Sequence, residues 1–235
     1  MNKEIKYIAK STQVFLLNRM HKEKANGLYK KGVFTNELIW GNNKYISSEQ
    51  TKKKQQNFKK GMFLFGMVRK DAKEFLQEYY FELPKKYPQI EYAKEFDNKK
   101  FKNITATDLN HAYWRIAYNY NIISERTYSK GLPDELKSVR LAALSTMGSP
   151  KKYFKIKNGI LTEEFILTKG NEELQNVYKL IRYSCYKYMA QVKKILGDDF
   201  IAYKTDCIYY KDTIANQKKV NKFFEEKDLL MKQLS

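Results

Sequence analysis

Two aspartates, Asp108 and Asp206, stand where carboxylates could carry out phosphoryl-transfer chemistry. Asp108 follows a strand-like run, Asn103–Thr107, and Asp206 lies between two more, Phe200–Tyr203 and Cys207–Tyr210. Nucleotidyl transfer uses two divalent cations, one at the attacking 3′-hydroxyl and one at the triphosphate and leaving group. Carboxylates on neighbouring strands can hold such ions, because Mg²⁺ prefers hard oxygen ligands. Taken singly, each aspartate has a structural explanation, as a helix cap for Asp108 and a turn residue for Asp206.

Other catalytic patterns are weak in this sequence. His21 and His111 have no Ser or Cys partner in a recognisable nucleophile motif. Cys185 and Cys207 form no Cys-x-x-Cys pair, so the sequence predicts neither a zinc site nor a disulfide framework. No glycine-rich phosphate loop is present. The aspartate pair is therefore the main candidate for chemistry.

Net charge is the strongest global signal. Lys and Arg total 45 against 26 Asp and Glu, which gives +19. Such a field favours a polyanion, and counterion release from phosphates would supply much of the affinity. AT-rich coding also over-supplies lysine, but glutamate is equally AT-encoded, so coding bias alone does not explain the excess. We expect nucleic acid rather than a membrane surface as partner, since no stretch pairs a lysine-rich face with a clean apolar one.

The composition predicts a soluble, cytoplasmic protein. Hydrophobic residues make up 43% of the 235 residues, with 19 Tyr and 14 Phe, so a substantial core can form. The strongest apolar run, Gly61–Val68, is too short to cross a bilayer. The N-terminus lacks a signal-peptide layout.

The elements that must position the aspartates are clearest from residue 100 onward. Apolar spacing predicts helices over 109–120, 136–147 and 171–196, and the tyrosine stripe of the last one indicates core. Asn158-Gly159 predicts one hairpin, and the runs on either side of Asp206 predict another. The resulting order of strands and helices predicts an α+β domain with an antiparallel sheet.

The first hundred residues are harder to interpret. Met62–Val68 indicates a buried strand, and Asp71 is expected to cap the helix that follows. The basic stretch Lys52–Lys60 fits either a solvated loop or a phosphate-contacting arm. We divide the chain into an N-terminal α/β region, residues 1–100, and a C-terminal domain, residues 101–235.

Three segments resemble motifs A, B and C of family B DNA polymerases, in that order. Asp108–Tyr113 has the Asp and the Tyr five residues later that are typical of motif A. Arg140–Gly148 resembles motif B, with a basic first residue, Ser at plus five and Gly at plus eight. Tyr203–Ile208 is similar to the Tyr-Gly-Asp-Thr-Asp-Ser hairpin of motif C, one residue shorter. The resemblance covers roughly residues 100–225.

The resemblance implies a polymerase-like palm, an antiparallel sheet with helices packed on one face, a short fingers segment and no normal thumb. It implies that Asp108 and Asp206 bind Mg²⁺ or Mn²⁺, and that the partners are template and primer DNA and dNTPs. It also places further residues at the substrate, and position alone adds the last two: Tyr113 at the ribose, Arg140 at the triphosphate, Ser145 and Gly148 at the nascent base pair, and Arg126 and Lys130 near phosphates.

The departures from the family pattern bear on activity. Lys204 occupies the place of the first motif C aspartate, where it would contact a phosphate or replace part of a metal's charge. It would also repel each Mg²⁺ by about 3 kcal/mol or more, at an effective dielectric constant of about 20. Only about thirty residues follow motif C. The chain should be poorly processive unless a partner protein helps to hold it on the DNA.

Two other hypotheses stay open beside a minimal DNA polymerase. One is a catalytically degenerate, palm-derived DNA-binding protein in which Lys204 marks the loss of activity. The other is a basic structural or packaging protein whose motif matches are coincidental, and it predicts that Asp108 and Asp206 lie far apart. A viral or mobile-element origin would suit a minimal polymerase.

Overall fold

A computed structural model of the chain describes residues 3–32, 35–47, 52–84 and 103–234. The chain forms two compact units, each built from two stretches of sequence. The six-stranded unit comprises residues 1–63 and 148–172, and the four-stranded unit comprises residues 64–147 and 173–235. The predicted α+β class is confirmed.

The strands and helices are numbered in chain order. The strands are β1 Glu4–Tyr7, β2 Gly27–Lys30, β3 Asn36–Trp40, β4 Asn43–Ser47, β5 Ile104–Leu109, β6 Lys152–Lys157, β7 Ile160–Leu167, β8 Phe200–Lys204, β9 Cys207–Lys211 and β10 Met231–Leu234. The helices are α1 Lys10–Lys22, α2 Lys52–Gly61, α3 Phe63–Glu78, α4 Ala112–Asn119, α5 Glu125–Gly131, α6 Lys137–Ser145, α7 Glu172–Leu196 and α8 Ile214–Glu226.

The hairpin β6–β7 explains why the units do not divide at residue 100. Its turn is the predicted Asn158-Gly159, and both residues have positive φ, as a tight two-residue hairpin favours. β6 pairs with β2, so residues 152–167 join the N-terminal strands. The sheet order is β1-β4-β3-β2-β6-β7, with β1 parallel to β4 and the other neighbours antiparallel.

One face of this sheet carries the core of the six-stranded unit. Met20 of α1 packs with Leu38 of β3 and Ile156 of β6, and all three are buried. Because successive side chains of a strand alternate between faces, Glu37 beside Leu38 points to the opposite face. That opposite face therefore contains a buried carboxylate that needs partners.

Glu37 is surrounded by cations and a hydroxyl group. Lys44 Nζ lies 2.7 Å from Oε2, and Lys30 and Lys151 Nζ each lie 3.5 Å from Oε1. The Tyr153 hydroxyl donates to Oε2 at 2.5 Å. Burial alone would raise the pKa of Glu37, but these hydrogen bonds and charges outweigh it and lower the pKa to about 2.

The four-stranded unit has strand order β10-β5-β9-β8, and every neighbouring pair is antiparallel. Helices α4 to α7 lie in sequence between β5 and β8, and α8 lies between β9 and β10. Although the hairpin β6–β7 lies within the first connection, it belongs to the other sheet. The connectivity within this unit is two interleaved β-α-β units, the ferredoxin-like arrangement.

The two faces of the four-stranded sheet differ. Thr107 and Tyr210 are fully buried on one face, where the Thr107 and Tyr210 hydroxyls are 2.9 Å apart. Helix α7 contacts this face, since the Tyr186 ring lies edge-on to Tyr203 at 6.5 Å. Alternation along β5 places Asp108 on the opposite face.

The apolar run before Asp71 is helical, not a strand. Leu64, Val68, Ala72 and Phe75 of α3 are buried at spacings of three and four residues, which is the period of a helix buried along one side. Asp71 therefore lies inside α3 rather than at its cap, and its carboxylate accepts hydrogen bonds from Ser124 N and Oγ at 2.8 Å.

The lysine-rich stretch that begins at Lys52 forms α2, and the C-terminal strand β10 was not predicted. Helix α7 is 25 residues long, but exposed and charged side chains alternate with its buried stripe. Across the described ranges, no helix combines the length and apolar character needed to cross a membrane.

We predict that Glu37→Gln lowers the free energy of unfolding at pH 7 by about 3 kcal/mol, since a pKa shift of one unit corresponds to about 1.4 kcal/mol. The stabilisation by Glu37 is present above its unfolded pKa near 4.5 and is lost as the pH falls toward about 2. Denaturant titrations at pH 7 and at lower pH values test this. Glu163→Gln, at an exposed position on β7, is the control. An equal loss at every pH would contradict the electrostatic explanation.

Candidate functional site

Asp108 and Asp206 lie together at one end of the two central strands. β5 pairs with β9, and Asp108 stands opposite Cys207, the residue after Asp206. The backbone N–H of Leu109 donates to the carbonyl oxygen of Asp206 at 2.9 Å. The wide separation expected from a coincidental match of motifs is therefore not found.

A tight turn holds Asp206. Lys204 pairs with Cys207, so Thr205 and Asp206 alone form the connection between β8 and β9. Thr205 has φ +57°, a left-handed conformation that is strained for a β-branched residue. The Cys185 thiol of α7 lies 3.9 Å from the Thr205 carbonyl oxygen, which supports the turn from the helix layer.

The two carboxyl groups are electrostatically unfavourable in isolation. Burial raises the pKa of Asp108 and of Asp206, and the neighbouring charge of Asp108 raises the pKa of Asp206 further. The charge of Lys137 partly opposes the rise in pKa at both aspartates, and the charge of Lys232, opposite Asp108 on β10, partly opposes it at Asp108. Both pKa values remain raised. The site thus holds two like charges close together in partial burial, which is typical of a site for a cation.

The donor set fits a magnesium ion that shares its ligands with a substrate. Groups of three or more His, Cys, Asp or Glu side chains placed to hold a metal do not occur among the residues described. Mg²⁺ is commonly bound by one or two carboxylates, with water and substrate phosphates completing its shell. Asp108 and Asp206 supply those two carboxylates, so a phosphate-bearing ligand would have to supply more of the oxygens.

Tyr113 lies where α4 meets α7. Its hydroxyl hydrogen-bonds with Tyr186, and burial and this bond, with the nearby Cys185, raise its pKa. The exposed Arg182 donates to the Tyr186 hydroxyl at 2.9 Å, and its guanidinium carbon lies 5.5 Å from the centre of that ring. A tyrosine and arginine surface therefore flanks the hairpin that carries Asp206.

Arg140 is buried and bonded to the backbone rather than exposed to solvent. It is 1% exposed, and its Nη1 faces the carbonyl oxygens of residues 131–133 at 2.7 to 3.2 Å. Its Nη2 lies 2.5 Å from His111 Nδ1. Because guanidinium can only donate, His111 Nδ1 accepts, and burial and the Arg140 charge lower the His111 pKa. In this structure Arg140 holds the chain between α5 and α6 and is not presented to a triphosphate.

Lys137 is the cation that sequence reasoning missed. It begins α6, is exposed, and its charge reaches both aspartates and His111. Its nearness to the aspartates depends on where α6 lies in the fold, which the spacing of residues along the chain does not show.

The other predicted substrate residues are more dispersed. Arg126 and Lys130 are exposed on α5, and Lys204 is exposed at the end of β8. Ser145 ends α6 in the four-stranded unit, whereas Gly148, at φ +72°, begins the second segment of the six-stranded unit. Their contacts with nucleotide or DNA stay predictions.

Comparisons with protein-family models, with curated proteins and with solved structures found no match to this chain. Its function is therefore inferred from the aspartate pair, the cations around it and the sheet that positions them.

We predict that Asp206→Asn raises the melting temperature at pH 7 without divalent cations. A carboxyl whose folded pKa is raised opposes folding when it is ionised, so the gain should shrink as the pH falls toward the ordinary Asp range. Mn²⁺ should stabilise the wild type and not the variant, because only the ionised pair attracts the cation. Thermal melts test both effects, with the exposed Asp198→Asn as control. A lower melting temperature for Asp206→Asn under all conditions would contradict this reading.

Proposed function

We propose that the protein is a metal-dependent nucleotidyltransferase of minimal polymerase type, which adds deoxynucleotides to a nucleic-acid strand. The observation that carries this proposal is the juxtaposition of Asp108 and Asp206 on the paired strands β5 and β9. Paired carboxylates at the ends of neighbouring strands are the arrangement that two-metal phosphoryl transfer needs.

The surrounding unit supports a palm-like reading. It has an antiparallel four-stranded sheet, with helix α7 against one face and Asp108 on the other. Register places Lys232 and Lys204 on the Asp108 face, at either side of the central strands. Cations around a carboxylate pair suit a substrate that carries several phosphates. In this reading α5 and α6 take the place of short fingers.

The proposed chemistry assigns a role to each nearby group. Asp108 and Asp206 would hold Mg²⁺, which supplies charge neutralisation at the triphosphate and eases deprotonation of the 3′-hydroxyl. The 3′-oxygen attacks the α-phosphorus as the bond to pyrophosphate breaks. Lys137, whose charge acts on both aspartates, would donate to the departing phosphates, in the role that sequence resemblance gave to Arg140.

The strand being extended would lie on the Asp108 face of the sheet, and α7 on the other face carries a separate cation and aromatic pair. Arg182 on the Tyr186 ring offers a cation and an aromatic face, the combination that binds single-stranded nucleic acid without reading its sequence. The ribose contact of Tyr113 rests on the sequence resemblance, since its hydroxyl faces Tyr186 on the helix side of the sheet.

Primer extension tests this function directly. Wild type with Mg²⁺ or Mn²⁺ and all four dNTPs should extend a labelled primer, and Asp108→Ala or Asp206→Ala should reduce incorporation by about a hundredfold or more, as loss of a metal ligand does. Asp198→Ala should leave incorporation unchanged, because that exposed carboxyl lies in the turn before β8.

A second candidate, a degenerate palm that only binds DNA, is favoured by one residue. Lys204 stands opposite Cys207, where the motif C pattern has an aspartate. Absence of incorporation by wild type, with DNA binding unchanged in both alanine variants, would reject the enzyme and support this candidate. Incorporation gained by Lys204→Asp alone would identify Lys204 as the cause of the loss.

A further inference from the structure

The face of the six-stranded sheet that carries Glu37 has more positive charge than its own carboxylates balance. Among the residues that the structure describes, Lys30, Lys44 and Lys151 share the single charge of Glu37, which leaves two cations in excess. Their side chains are 24%, 19% and 48% exposed, so solvent reaches them only in part. Held ammonium groups without a counter-charge are where an anion binds most favourably.

The lowered pKa of Lys151 agrees with this charge excess. Burial lowers the pKa of Lys151, and the charges of Lys44 and Lys30 lower it further, although Glu37 opposes them. An added anion beside these three lysines would relieve the repulsion among them.

Three of the cations converge on Glu37, and further lysines continue the positive charge across the sheet. Strand register puts Lys44 on β4, Lys30 on β2 and Lys155 on β6 on the same face. Lys155 and Lys157 both pair with Glu164 of β7. Neighbouring strands lie about 4.8 Å apart, so the lysines of β4, β2 and β6 span three strand spacings, about 14 Å of sheet, which is longer than one free phosphate and fits several phosphates of a strand.

We propose that this sheet face binds the phosphodiester backbone of a nucleic-acid strand, with Lys30, Lys44 and Lys151 as its central contacts. The site belongs to the six-stranded unit and does not depend on whether Asp108 and Asp206 are catalytic. It gives the protein a nucleic-acid binding site that is separate from the residues proposed for nucleotidyl transfer.

The test is the salt dependence of DNA binding, measured by fluorescence anisotropy with a labelled single-stranded oligonucleotide in EDTA. Lys30→Gln with Lys151→Gln removes the two excess charges and retains the 2.7 Å pair between Lys44 and Glu37, so folding should be preserved. For single strands, each phosphate contact contributes about 0.7 to the slope of log K against log salt. The double variant should therefore reduce the magnitude of this slope by about 1.4.

The matched control is Lys22→Gln with Lys24→Gln, which removes two exposed charges of the same unit at the end of α1. It should change the slope by much less, and the Arg versions of Lys30 and Lys151 should keep the wild-type slope. Circular dichroism confirms that each variant is folded.

Three results would overturn the proposal. An equal change in the test and control pairs would mean that binding follows total charge alone, and an unchanged slope in the test pair would leave the lysines as counter-charges for Glu37. Weaker binding of dATP with an unchanged slope for DNA would assign the site to a free nucleotide instead. The binding assay contains no metal ion and involves no catalysis. Its result can therefore be interpreted even if the protein does not extend a primer.

Discussion

The pairing of β5 with β9 is the constraint on which the rest of the four-stranded unit depends. It sets Asp108 opposite Cys207 and therefore places two carboxylates at the same end of the sheet. The burial and mutual repulsion of the two carboxylates are unfavourable. The carboxylates stay close together because the hydrogen-bonded strands do not let the backbone separate them. Stability lost at such a place is what a binding site commonly requires.

The helix layer makes that pairing rigid. Cys185 of α7 sits under the turn, and Tyr186 packs against Tyr203 of β8. Next to Asp108 along β5, the hydroxyls of Thr107 and Tyr210 bridge the two central strands on their buried face. The contact with Cys185 and the paired strands on either side of the turn therefore hold Thr205 in place. Such contacts allow a β-branched residue to keep a strained positive φ.

The sequence was most informative where local chemistry decides the structure. Asn158-Gly159 indicated a hairpin and the stripe of α7 indicated a long helix, because turn geometry and helical period are local properties. It was least informative where partners are distant. The burial of Arg140 depends on carbonyl groups of the preceding turn, and the assignment of β6 to the N-terminal sheet depends on β2, neither of which a linear pattern shows. The aspartate pair was predictable from the two motifs, whereas the contribution of Lys137 required the position of α6.

The interleaving of the two units has a consequence for synthesis on the ribosome. β2 pairs with β6 across more than a hundred residues, so the first sheet has an open edge until residue 157 has emerged. Translation proceeds at about 5 to 20 residues per second, which leaves that edge unpaired for several seconds while α3 to α6 appear. An unpaired strand edge is a template for wrong associations. Nascent chains that stall between residues 64 and 147 would therefore be the species most in need of a chaperone.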